Sequence, residues 1–361
     1  MAARARRAVA VAVAVLHLLL LTASQLAAPA LSAMAPPAAP LPGSADPRCH
    51  ASPPRRGAVA VYPSDMAHIQ FLLNAKFVEA EWFLHGALGR GIDFIDGALS
   101  GGGPPPTGAR KATLDFRATE VAAELGYQEV GHIRAITQSM GGFPRPAIDL
   151  SDAVFAAVMD DAMATRLDPP FDPYASSVNF LLASYILPHI TASAALLPHG
   201  LLLQAGKPAK KPHRIRFLSG HGGGETTESV ADVQLQASML AVEAGQDAVI
   251  RMMLYERADE VVAPYKGRTV AEFTRRISEW RNAASRCGAK DEGVKVLDRR
   301  QGAERRTVSN ILGAGDDSLG FARTPAEVLR ILYGSGNEQV PGGFLPRGGN
   351  GTIAKGFFQL A

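Results

Sequence analysis

ELGYQEVGHIRAI, residues 124–136, decides how the rest of the chain reads. Glu129 and His132 stand three apart, so on a helix both side chains leave one face and can reach a common point. Val121, Leu125, Val130, Ile133 and Ile136 recur around them at helical spacing, which predicts a long amphipathic helix over about Thr113–Met140. Gly141-Gly142 ends it, and Pro144 and Pro146 prevent its resumption. A Glu and a His at this spacing are commonly solvated, so the word needs a partner. Glu243-Ala244-Gly245-Gln246 is one. It repeats the form with Gln in place of His, on a second long helical period over Thr227–Glu260 that includes Val233, Leu240, Val242, Val249, Met253 and Leu254. Two such words on two helices are the pattern of a di-iron carboxylate site inside a four-helix bundle.

Working outward, two more long periods complete a bundle. Ser64-Asp65 reads as an N-cap pair ahead of the stripe Ile69, Leu73, Phe77, Ala80, Leu84 and Ala87, with Gly89 and Gly91 to close it. Ser177–Ala195 is almost continuously apolar, as an interior helix would be, and Pro188 predicts a kink or an early end. GGGPPPTG (101–108) is a loop, and a shorter helix follows near Asp152–Ala164. The fold expected is all-α: a bundle over 64–264, interrupted by an irregular basic loop at 196–226. Residues 265–361 then add C-terminal helices and a Gly-rich wrap. Phe273, Ile277 and Trp280 mark one of those helices (Val270–Ala284), and Thr324-Pro325 starts another.

The N-terminus points to the secretory route. Arg4, Arg6 and Arg7 precede an apolar run from Ala8 to Thr22 that ends in small residues, which predicts a signal peptide over 1–33. An uncleaved anchor and an organelle transit peptide are the competing readings. Residues 34–63, rich in Pro and Ala, read as an extended mobile arm. No later segment has about 18 uninterrupted apolar residues, so no transmembrane segment is expected in the mature chain. A net charge of +3, with no basic cluster interleaved by aromatics, gives no case for a nucleic-acid partner. Cys49 and Cys287 either pair or stay free, and Asn350-Gly351-Thr352 is a sequon for an N-glycan.

Longer words carry a family resemblance. FLLNAKFVEAEWFLHGALGRGIDFIDGAL (71–99), GGGPPPTG, ELGYQEVGHIRAI, NFLLASYILPH (179–189), VEAGQDAVIRMMLYERADEVVAPY (242–265) and FARTPAEVLRILYGSGNEQVPGGFLPRG (321–348) resemble the desiccation-related, ferritin-like proteins of plants. The resemblance runs from about Val61 to Phe358, broken at Leu196–Val233. It implies a ferritin-like bundle, secretion, and induction by dehydration or abscisic acid, but no particular reaction. The family's first helix reads close to LNLEFLEAEFF, with a Glu matching the helix-one iron ligand of ferritins where this chain has Lys76. Carried over, the resemblance implies iron as the cofactor, if any is held, at Glu129, His132 and Glu243, with Gln246 a weak ligand. An ammonium donates only and repels a dication. Glu81, about 80° from the stripe's centre on the side opposite Lys76, is the substitute ligand. Glu79 lies further round. The third helix offers only Asn179, Ser184, Tyr185 and His189.

The function expected is therefore a secreted dehydration-stress protein, non-catalytic or weakly metal-binding, with Lys76 able to replace metal by a salt bridge to Glu129 or Glu243. A di-iron oxidase or iron-handling protein is the first alternative. A cell-wall or membrane-surface binder acting through Lys207–Arg216 is the second.

Overall fold

Each long period becomes a helix in the computed structural model, which describes residues 63–195 and 226–358. The elements are α1 (Pro63–Leu88), α2 (Ile92–Asp96), α3 (Phe116–Met140), α4 (Asp152–Met163) and α5 (Ser177–Ser184). They continue with α6 (Pro188–Ala195), α7 (Thr226–Tyr255), α8 (Val270–Ser285), α9 (Pro325–Tyr333) and α10 (Gly351–Phe358). α1 lies along α3, α6 packs on both α1 and α7, and α5 and α3 also meet α7. These make a four-helix bundle, as expected. α1 and α3 approach closely because Gly126 carries no side chain: a Cβ there would sit 2.9 Å from Leu84 Cδ2.

Local chemistry sets the ends. α3 begins three residues later than its apolar period predicts, because the Asp115 carboxylate accepts from Ala118 N–H at 2.8 Å and fixes the N-cap there. α1 begins at Pro63, so Ser64 and Asp65 sit in its first turn and not at its cap. Pro188 does break the third bundle helix: it has no N–H to continue the ladder, and the chain restarts as α6 with Pro188 first. The break frees carbonyls, and Arg281 of α8 donates to Tyr185 O and to Ile186 O, the latter at 3.1 Å. α9 opens with Pro325 behind a Thr324–Glu327 capping box, as expected.

α1 departs from the amphipathic reading. Its apolar stripe is buried, but so are Asn74, Lys76, Glu79 and Glu81. The far side is covered by α5 of the bundle and by elements outside it. Trp82 stacks on Phe180 at 4.5 Å and lies against Phe155 of α4 and Tyr174. α10 returns over α1. Asn74 holds that return with two hydrogen bonds to the backbone of Asn350, donating to its carbonyl at 2.9 Å and accepting from its N–H at 2.7 Å. The Gly-rich tail is thus a built clasp. Arg330 pairs with Glu338 at 2.6 Å, and Gly349 N–H donates to the Tyr333 hydroxyl at 2.9 Å.

The signal peptide, the arm, Cys49 and the basic stretch 207–216 lie outside the described residues. Cys287 is buried and disulfide-bonded. Among the described residues no helix is long and apolar enough to cross a membrane.

Candidate metal centre

Glu129 and His132 from α3 and Glu243 from α7 do converge. One potential ligand atom from each lies within 4.8 Å of the others. The helical spacing explains it: both words turn toward the seam that α1 closes. What α1 delivers there is a cation. Lys76 Nζ donates to Glu243 Oε1 and, at 3.1 Å, to Glu79 Oε2. It also lies 2.9 Å from Glu129 Oε2. An ammonium has three N–H donors, and three carboxylates surround this one. Thr191 of α6 donates its hydroxyl to the other oxygen of Glu79 at 2.7 Å. All four bundle positions therefore contribute. His132 forms the outer edge, its Nδ1 at 3.0 Å from Glu243 Oε1 and 3.4 Å from Glu129 Oε1.

Burial would lower the pKa of Lys76, but Glu129, Glu243 and Glu79 together raise it above its ordinary value. Burial would raise Glu129, yet Lys76 and His132 outweigh it and hold that carboxyl at about 2. The same competition lifts His132 to about 9, its two carboxylate contacts prevailing over burial. Burial, with Glu129 and Glu243 adding to it against Lys76, pushes Glu79 well above the carboxylate range. Burial and the Glu129 charge raise Glu243. Two cations, Lys76 and His132, thus face one carboxylate held ionised, Glu129, and two whose proton affinity is raised, Glu79 and Glu243.

The fold family implies a pair of metal ions between these helices, and the residues present do not fit one. A dication about 4 Å from a fixed ammonium is repelled by about 8 kcal/mol at an effective dielectric of 20. Glu243, one of the carboxylates that would hold a metal, is already paired with Lys76. One observation points the other way. Both oxygens of Glu129, Glu243 Oε2 and His132 Nδ1 are buried without a well-formed hydrogen bond.

Two expected ligands are elsewhere. Glu81 is buried on the opposite side of α1, where Arg145 Nη1 holds its Oε1, and His85 and Ile92 N–H approach its Oε2 at 3.3 and 3.4 Å. Arg145 also donates to Pro104 O at 2.7 Å, Gly103 O at 3.1 Å and Asp93 at 2.8 Å. Glu81 therefore anchors the GGGPPPTG loop through Arg145 and stands apart from the Glu129–His132–Glu243 group. The reason is an arginine 64 residues away, invisible to a helical wheel. Gln246 is buried and donates to Gln128 of α3 at 3.1 Å, a neighbour of the centre with no contact to Lys76. On the third helix, Asn179 donates to Asp172 O, Ser184 accepts from Trp82, and Tyr185 meets Arg251. None reaches the cluster. Sequence reasoning missed Glu79 and Thr191. The signal for Glu79 was present: it stands three residues after Lys76, the same offset as Glu129 to His132.

Comparison with known proteins agrees with this architecture. A family model for the ferritin-like domain matches residues 64–204. The chain is 48% identical over 295 residues to "Ferritin-like catalase Nec2" of Nesocodon mauritianus, covering 81% of this chain and 86% of that protein. It is 41% identical over 289 residues to "Desiccation-related protein PCC13-62" of Craterostigma plantagineum, covering 80% and 83%. No solved structure matches.

Proposed function

The chain belongs to the ferritin-like, desiccation-related proteins, and from that premise we propose that it is a secreted dehydration-stress protein that works without turnover at a metal. One observation carries the reading: the Lys76 ammonium sits among Glu79, Glu129 and Glu243 where a metal pair would need the same oxygens. Secretion rests on the Arg-led apolar run at the N-terminus. Protein recovered from extracellular fluid should begin after about residue 33.

A second reading comes from the relative named a ferritin-like catalase. It is favoured by the convergence of Glu129, His132 and Glu243 and by their unfilled hydrogen-bonding capacity. Any metal those residues held would supply the redox chemistry that peroxide breakdown requires. The protein's own contribution would be to fix the ligands on rigid helices and to shut out water, with Lys76 in the way. Elemental analysis of protein from its native compartment, together with oxygen release from hydrogen peroxide, separates the two. The first reading expects less than a tenth of an equivalent of iron, manganese or zinc and no oxygen above buffer. Stoichiometric metal with steady oxygen release would establish the second in its place.

A further inference from the structure

Lys76 is positioned like a bound ion and not like an ordinary core side chain. Four helices place Glu79, Glu129, His132, Glu243 and Thr191 around one point, and Lys76 Nζ occupies it, fully buried. If that ammonium were removed, three carboxylates and an imidazole would face one another across a vacated volume. Several of their buried donor and acceptor atoms already lack a well-formed hydrogen bond: both oxygens of Glu129, Glu243 Oε2 and His132 Nδ1. Uncompensated carboxylates in such a space are strongly unfavourable. An oxygen-rich set with one imidazole suits a divalent ion of the manganese, iron or zinc kind.

We infer that Lys76 is a covalently tethered counter-cation filling a latent single divalent-cation site built from Glu79, Glu129, His132 and Glu243, and that neutralising this one residue opens the site. The inference rests on the reading that the unaltered chain holds no resident metal at this centre. It deepens that reading by assigning the exclusion to one side chain.

The test uses the full mature chain with Zn²⁺ or Mn²⁺ alone, in equilibrium dialysis with elemental counting. Lys76→Gln keeps most of the volume and loses the charge, and Lys76→Arg keeps the charge. Lys76→Gln should take one ion per chain, at least on the order of 100-fold more tightly than the unaltered protein or Lys76→Arg, the ammonium's repulsion having gone. Its melting midpoint should climb with metal concentration, and adding Glu129→Gln should cancel both effects. A folded Lys76→Gln that binds no better than the unaltered chain overturns the inference, as does a gain that survives Glu129→Gln. If Lys76→Gln folds only with metal present, that recovery supports it. Failure to recover with either ion counts against it, because a dication in that place would restore the charge balance. The two failures are distinguishable: stoichiometric metal with peroxide consumption in the unaltered chain sinks the proposed function and the premise of the latent site together, whereas silent Lys76 variants of a metal-free, peroxide-inert chain sink the latent site alone.

Discussion

Glu79 and Glu81 leave the same turn of α1, both buried, and end in opposite surroundings. Glu79 faces the bundle seam, among two other carboxylates and one lysine, and its proton affinity rises. Glu81 faces outward into a pocket made by Arg145, where a guanidinium forks between the carboxylate and the carbonyls of Gly103 and Pro104. The first side gathers acids around a shared cation. The second spends one acid on one arginine to hold down a loop that has no regular structure of its own. Burial alone says nothing about role; the count and reach of partners does.

The sharpest way to break the comparison is to remove the cation on the outer side. Arg145→Met should destabilise the protein by about 3–5 kcal/mol, because the buried Glu81 loses the guanidinium that pairs with it. Urea titration gives the loss, and faster proteolysis at 101–108 should accompany it. A smaller contrast follows from the acids themselves. Glu81→Gln should cost about 2–3 kcal/mol through the hydrogen-bonded charge it deletes, whereas Glu79→Gln should cost about 1 kcal/mol or less, its environment already favouring the protonated form. Equal losses in the two variants would erase the distinction.

Acidity offers a third handle. His132 titrates higher folded, at about 9, than its ordinary 6.5. The stability it contributes is complete below pH 6.5 and lost as pH rises through 9. Glu129 is depressed from 4.5 to about 2, so its contribution is present above pH 4.5 and lost as pH falls through 2. Lys76, Glu79 and Glu243 face the same point and shape both limbs. His132→Gln should flatten the alkaline limb in a stability–pH series and weaken the acidic one, because His132 helps hold Glu129 down. The smallest expected effect concerns Asn350. Its side-chain amide donates to Pro144 O at 2.8 Å and its backbone is clasped by Asn74, so the amide that a glycan needs is engaged. Intact mass from a glycosylating host should show no sugar at this site, and Thr352→Ala should change nothing.

Much of this was legible in the chain. The bundle helices, the Pro188 break and the Glu129–His132–Glu243 convergence follow from periods and offsets that a helix converts directly into geometry. The alternative in which Lys76 pairs with Glu129 or Glu243 was open from the sequence, and the structure places its ammonium against both. What stayed hidden needed distant partners. α1 reads as half-exposed because no local rule announces that α4, α5 and α10 will cover its back. Glu81 was assigned to the wrong side because Arg145 comes from beyond α3. On α7 the apolar reading chose Val249, which is exposed, and passed over the buried Asp247 and Arg251. Hydrophobicity ranks residues by type, and a helix lined with paired charges inverts the ranking.

The clasp between Asn74 and Asn350 sets a timetable. The two residues are 276 positions apart, so at about 5–20 residues per second the partner for the opening helix is made roughly 15–55 s after it. Until then the part of α1 that α10 covers stays bare, and α1 is fully packed only once α10 has emerged.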